Sequence, residues 1–323
     1  MKSTTILALS FSVLLVSCNK SSKSGQLSVA VIPKGTTHIY WKSVEAGAKK
    51  AAAELDVKMT FIGPQREDDR SQQIDLVANQ ALQNDAIILA PLDAVALRDA
   101  AKSVAEKGKP VVIIDSSLAD SASFITSYVA TDNREGGRVA ARRLSEALSG
   151  KGKVAVLRYM QGSASTEQRE DGFLEEIKKS PGIEVVSSEQ FSGATASQAQ
   201  DVAANLLTRL AMADGLSIQG VFCSNQTNTY GMLQALRGKN LGGKVKFIGF
   251  DCDATFIDAL KKGEMDSTIL QDPVNMGYLG VKTAVAKLRG EKVEAVIDTG
   301  ATLVTAANMS EPKISELIKS QLP

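Results

Sequence analysis

Continuous apolar runs of four or five residues, alternating with stretches of helical spacing, constrain this chain more than any other feature. Val29-Ala30-Val31-Ile32 is ended by Pro33 and Gly35, Ala86-Ile87-Ile88-Leu89-Ala90 by Pro91, and Val111-Val112-Ile113-Ile114 by Asp115. A strand that is apolar at every position is buried on both faces, which happens in parallel sheets covered by helices. Between these runs, Val44, Ala48, Ala51, Ala52 and Leu55 share one helical face, as do Ile74, Val77, Ala78, Ala81 and Leu82. The rhythm restarts after Asp132, with strands predicted at Val154-Ala155-Val156-Leu157, Glu184-Val185-Val186, Gly220-Val221-Phe222-Cys223, Val245-Lys246-Phe247-Ile248 and Ser267-Thr268-Ile269-Leu270. Thr302-Leu303-Val304 is a last short strand. At 323 residues the chain exceeds one ordinary core. The reading is α/β: two lobes, each a parallel sheet wrapped by helices.

Several strands end in side chains that a core does not need. In open α/β sheets ligands sit at the carboxyl ends of the strands. Phe250-Asp251 places a flat apolar face beside a carboxylate, a pairing suited to a polyhydroxylated ring. Asp115 ends another strand, Asn225 lies just past a third, Gln271 follows a fourth, and Arg169 falls early in a helix. The loop after the first strand gathers His38, Tyr40 and Trp41, which include the only His and the only Trp of the chain. Singly, each of these reads equally as a cap, a turn residue, a staple or a core aromatic. Together they describe a polar and aromatic cleft between two lobes.

Catalytic and metal readings lack parts. With one histidine, any Ser-His-Asp or Cys-His set must use His38, and no Gly-x-Ser-x-Gly elbow or Gly-Lys-Ser/Thr phosphate loop occurs. Gly150-Lys151-Gly152-Lys153-Val154-Ala155 matches a dinucleotide fingerprint by letter, but it opens a strand where the fingerprint must open a helix. No enzyme, cofactor or metal site is expected. With 37 basic and 36 acidic residues there is no nucleic-acid footprint either. Cys223 and Cys252 stand at strand ends, and spacing alone leaves open whether they pair.

The N-terminus carries Lys2, an apolar segment from Ile6 to Val16, and then Leu15-Val16-Ser17-Cys18, which resembles the lipobox of bacterial lipoproteins. On that reading residues 1–17 are a signal peptide, Cys18 is the lipid attachment point, and residues 18–26 are a tether. An ordinary signal peptide cut near Ser17 would leave Cys18 incidental. Both readings export the protein, to the periplasm or the cell surface.

The pieces Ala130-Thr131-Asp132-Asn133-Arg134-Glu135-Gly136-Gly137, Arg169-Glu170-Asp171-Gly172-Phe173, Val221-Phe222-Cys223-Ser224-Asn225 and Phe247-Ile248-Gly249-Phe250-Asp251 resemble the ribose-binding branch of the type I periplasmic sugar-binding proteins. The LacI-type repressors share that fold but carry a DNA-binding headpiece where this chain has an export signal. The resemblance implies two Rossmann-like lobes joined by a three-crossing hinge. It divides them into residues 27–131 plus 272–300 and residues 132–271 plus 301–323. It also implies a monomer that closes on a monosaccharide or polyol and docks on an ABC transporter permease. The alternative role is a sensor presenting its closed form to a chemoreceptor or kinase.

Position by position, the resemblance puts stacking aromatics at Tyr40 and Trp41, an asparagine position at His38, and sugar-bonding carboxylates at Asp115 and Asp251. Arg169 is the cleft arginine, Asn225 the asparagine, Gln271 the hinge-side glutamine and Phe250 the aromatic before the second carboxylate. Ser116 stands in the ligand set where ribose binders have an arginine. Ala90 and Ala194 depart from the pattern at an asparagine and an aromatic, so the ligand set is not that of a plain ribose binder.

Overall fold

The computed structural model describes residues 25–213 and 215–322, so the leader and Cys18 lie outside the described residues. The first sheet holds β1 (Ser28–Ile32), β2 (Lys58–Phe61), β3 (Ala86–Leu89), β4 (Val111–Ile114), β5 (Ser127–Ala130) and, from near the end of the chain, β13 (Val296–Asp298). Its order is β2-β1-β3-β4-β5-β13, and every pairing is parallel. The second sheet holds β6 (Lys151–Arg158), β7 (Gly182–Phe191), β10 (Gly220–Cys223), β11 (Lys246–Phe250), β12 (Ser267–Leu270) and β14 (Thr302–Thr305), in the order β7-β6-β10-β11-β12-β14. Only β14 runs antiparallel there, against β12. A two-residue hairpin of β8 (Ala211–Met212) and β9 (Gly215–Leu216) stands apart.

The helices are α1 (Ile39–Leu55), α2 (Arg70–Gln83), α3 (Arg98–Glu106), α4 (Asn133–Ala147), α5 (Ala164–Ile177), α6 (Ala196–Arg209), α7 (Gln226–Gly238), α8 (Ala254–Lys261), α9 (Pro273–Leu288) and α10 (Pro312–Gln321). Both sheets have a core on each face. In the first, Val29, Val31, Ile88 and Val112 pack towards α1 and α9, while Ala30, Ile32, Ile87 and Ile113 pack towards α2 and α3. In the second, Phe173 of α5 stacks on Phe222 of β10 with ring centroids 4.4 Å apart.

Sequence periodicity did not anticipate β13, α10 or the small hairpin. β13 is three residues long with Val296 exposed, so it has no buried alternation to reveal it. In α10 only Ile318 and Gln321 are buried, too sparse a face to read. Cys223 and Cys252 are both buried and unpaired. Burial pushes both thiols up, Cys252 to about 12, which keeps them protonated and inert.

The chain passes between the sheets three times: from β5 to α4, from β12 to α9, and from β13 to β14. Two of these crossings end in an aspartate that caps the next helix, Asp132 accepting from Glu135 N and Asp272 from Asn275 N. Both capped helices lie unusually close to a neighbour. A Cβ at Gly137 of α4 would overlap the carbonyl oxygen of Arg169, and one at Gly172 of α5 would overlap that of Arg134. The same reciprocal arrangement joins α1 and α9, with Gly47 against Val274 O and Gly277 against Val44 O. Only glycine permits backbones to approach this far.

Candidate ligand-binding cleft

β4 and β11 each end by turning a carboxylate out of the sheet. Asp115 has φ 62° and Asp251 has φ 71°, left-handed values that a β-branched or bulky residue would resist. Asp251 is free for this because Asp253, two residues on, caps α8 through Thr255 N. Instead the Asp251 carboxylate accepts from Gln226 N at 2.9 Å, at the start of α7, and from Gln271 Nε2 at 2.7 Å. Burial raises its pKa above the ordinary value, and the charge of Asp115 adds to that against Arg169, Gln271 and Gln226. Asp115 accepts from Tyr40 OH at 3.0 Å and has Lys34 Nζ at 2.7 Å. Burial and then the Asp115 charge push the Tyr40 hydroxyl well above its usual pKa, so it stays a donor.

Arg169 lies on the second lobe's side of the same space and is 2% exposed. Its Nε donates to Asn133 Oδ1 at 2.8 Å, its Nη1 to Ser224 O at 3.0 Å, and its guanidinium lies 4.0 Å from the Phe250 ring centroid. Asn133 in turn donates to the carbonyl of Asp115 at 3.1 Å, so one buried amide orients residues of both lobes. Beneath, Glu170 accepts from Tyr159 N at 3.0 Å and Ser224 Oγ at 2.8 Å, and burial raises its pKa to about 7.

The lobes meet across this space. Tyr159 OH donates to Glu67 Oε2 at 3.0 Å, Ser165 N to Ser116 Oγ at 3.0 Å, Gln168 Nε2 to Ser117 Oγ at 3.1 Å, and Ala94 N to Gly162 O at 2.9 Å. Glu67 also accepts from Trp41 Nε1 at 2.6 Å and lies 3.3 Å from His38 Nδ1. What remains between the lobes is a small cavity lined by polar and aromatic side chains of both lobes.

Among the described residues, nine buried side-chain polar atoms lack a hydrogen-bond partner, and five of them belong to this cavity's wall. Four are Arg169 Nη2, Gln226 Oε1, Thr227 Oγ1 and Gln271 Oε1; the fifth, Asp115 Oδ2, lacks an aligned hydrogen bond but is paired with the Lys34 ammonium at 2.7 Å. Buried polar groups are normally satisfied, so unsatisfied ones gathered on the residues of one cavity wall leave hydrogen-bonding capacity there for a polar guest. No group of three or more metal-ligating side chains occurs among the described residues.

Residues 29–292 match the family model described as a periplasmic binding protein domain. The chain belongs to the type I periplasmic binding proteins. This binding protein is 30% identical over 291 residues to the ribose import binding protein of Haemophilus influenzae, covering 90% of this chain and 95% of that one. It also resembles a carbohydrate transporter solute-binding protein from Agrobacterium radiobacter in complex with D-arabinose. That structure has 39% identity and a TM-score of 0.86, over 91% of this chain and 99% of the other. An ABC transporter solute-binding protein from Agrobacterium vitis, bound with α-D-tagatopyranose, has 31% identity and a TM-score of 0.84 over 91% and 99%.

In this binding protein the cavity brings together His38, Tyr40, Trp41, Asp115, Arg169, Asn225, Asp251 and Gln271. Ser116 and Phe250 are off the wall. The Ser116 hydroxyl is taken up by Ser165 N, and Phe250 is a fully buried support for Arg169. Asn225 lines the cavity while its Oδ1 caps α7. Lys34, Glu67 and Tyr159 line it too, together with the first residues of α5 and α7. Sequence reasoning missed them. Lys34 was hidden between the strand breakers Pro33 and Gly35, and a lone charged or aromatic residue in a loop gives no periodic signal.

Proposed function

We propose that this binding protein captures a monosaccharide or related polyol between its lobes, closes on it, and presents the closed form to the permease of an ABC importer. The observation that carries the reading is the cluster of four unsatisfied polar atoms belonging to residues on the wall of one cavity. Two are amide oxygens that accept, Arg169 Nη2 donates, and Thr227 Oγ1 can do either. That is a complement for several hydroxyls and an oxygen acceptor on an uncharged ring. Lys34 and Arg169 face Asp115 and Asp251, and the third carboxylate of the wall, Glu67, is already engaged by Trp41, Tyr159 and His38, which supports a ligand without charge. The sugar complexes among its structural relatives point to the same class. Binding, with no chemical turnover, is the activity proposed.

Closure follows from the geometry. Ligand hydroxyls that satisfy Asp115 on one lobe and Arg169 and Asp251 on the other stabilise the shut arrangement over the open one. His38, Tyr40, Trp41, Asn225 and Gln271 complete the proposed ligand set. We further propose that the mature protein is an exported monomer held to a membrane by lipidated Cys18. Radiolabelled palmitate incorporation into the wild type but not Cys18→Ser would support that anchor, and equal labelling would remove it.

The test of the functional reading is a thermal-shift screen of residues 19–323 against pentoses, hexoses and polyols, followed by calorimetry. A ligand at a hundredfold excess over its Kd adds about 2.7 kcal/mol of stability. A sugar that raises the melting temperature and binds with one-to-one stoichiometry is expected. No shift from any of them would sink the reading.

A further inference from the structure

Lys34 is 4% exposed at the cleft, an uncommon position for a lysine. Its loop is anchored from below by buried Gln73, which donates to Pro33 O at 3.0 Å and Ala90 O at 2.8 Å and accepts from Leu92 N at 2.8 Å. From that fixed base the ammonium reaches Asp115 Oδ2 at 2.7 Å, Ser165 Oγ at 3.0 Å and Ser163 Oγ at 3.5 Å. Asp115 ends β4 in the first lobe, whereas both serines lie at the start of α5 in the second. A buried charge is tolerated when it is paired and hydrogen-bonded, and here the partners come from both sides of the cleft.

We propose that Lys34 is an internal cation of the cleft. It occupies the place beside Asp115 that the amine of a ligand would take, and it links the lobes through the serines at the start of α5 without using the ligand. The proposal rests on the sugar-binding reading for its ligand class, though not for the cross-lobe link. Two consequences follow. An amine-bearing sugar would set a second ammonium against Lys34, with the Arg169 guanidinium on the far wall, so the wild type selects neutral sugars over their amino counterparts. Like charges brought together in a desolvated site are a strong device of exclusion. And the ligand-free protein is more compact than its hinge alone would make it.

The experiment compares the wild type, Lys34→Met and the double variant Lys34→Met/Asp115→Asn, the last leaving no unpaired buried charge should the single variant fold poorly. Small-angle scattering without ligand is expected to give a larger radius of gyration for both variants than for the wild type. Calorimetry then uses the neutral sugar that shifts the wild type and its 2-amino-2-deoxy and 3-amino-3-deoxy counterparts. The affinity ratio of amino to neutral sugar is expected to rise at least tenfold in Lys34→Met and to fall back in the double variant. A radius of gyration equal to that of the wild type, or an unchanged ratio, overturns the proposal. If no neutral sugar binds the wild type, the functional reading falls and the scattering comparison alone decides the role of Lys34.

Discussion

Asp115 and Asp251 hold corresponding positions in the two lobes: each follows the last residue of a central parallel strand, each has left-handed backbone, and both carboxylates reach one cavity. A left-handed non-glycine residue costs about 1–2 kcal/mol, least for Asp and Asn. That cost is borne twice, and in both cases it turns a carboxylate away from the sheet and into the cleft.

Asp251→Asn keeps the tolerated backbone and one acceptor oxygen but removes the charge. Sugar affinity is expected to fall roughly 10- to 150-fold, the ~1.5–3 kcal/mol of a hydrogen bond to a charged group. Thermal stability should hold or rise, because burial already disfavours the ionised form. Calorimetry and melting curves on one preparation check both halves.

Tyr159→Phe deletes only the hydroxyl that crosses to Glu67. This bond joins the two lobes, so its loss should weaken sugar binding by about 2- to 10-fold, from ~0.5–1.5 kcal/mol. Trp41, the only tryptophan, shares Glu67 and is 3% exposed. Its emission should therefore shift red in ligand-free Tyr159→Phe and return on sugar addition, and an unshifted spectrum would count against the link.

Gly137→Ala puts a methyl group where the Arg169 carbonyl oxygen lies, forcing α4 and α5 apart. Overpacking of this kind costs about 1–3 kcal/mol. Because the displaced residue is the cleft arginine, affinity should drop along with the melting temperature. Gly290→Ala tests positive-φ strain alone, since open space surrounds that site, and it should leave affinity unchanged.

Glu170 predicts a pH effect. In the folded protein burial raises its pKa to about 7, whereas an unfolded glutamate titrates near about 4.3. Between these values the folded state holds a proton that the unfolded state has released. The group's contribution is therefore largest in acid and is lost as pH rises through about 7. Glu170→Gln can keep both hydrogen bonds through one oxygen, since Tyr159 N and Ser224 Oγ share Oε1. Denaturant titrations from pH 5 to 8 should show a decline for the wild type, on the order of 3 kcal/mol at most, and a flatter profile for the variant.

Apolar runs such as Val111-Val112-Ile113-Ile114 revealed the sheets because burial on both faces leaves no room for polar residues. The same logic exposed Asp115 and Asp251, since a carboxylate at the end of such a run interrupts an otherwise apolar pattern. It had no purchase on Lys34, Glu67 or Tyr159. Each becomes a wall residue only when the other lobe closes over it, and that long-range approach leaves no local trace. Ser116 and Phe250 show the converse. Their positions beside the carboxylates were legible, but whether a neighbour's side chain faces the cavity or a helix depends on backbone direction, which spacing alone does not give.

The two pairs of interlocked glycines make α4 and α9, the helices that leave the hinge, inseparable from α5 and α1, the helices that carry Arg169, Tyr40 and Trp41. On the proposed closure, recognition and motion are built from different atoms: side chains choose the guest, while bare backbone contacts would carry the rotation. A lineage, or an engineer making a sensor, can exchange the side chains lining the cleft for another set and inherit the gearing unchanged.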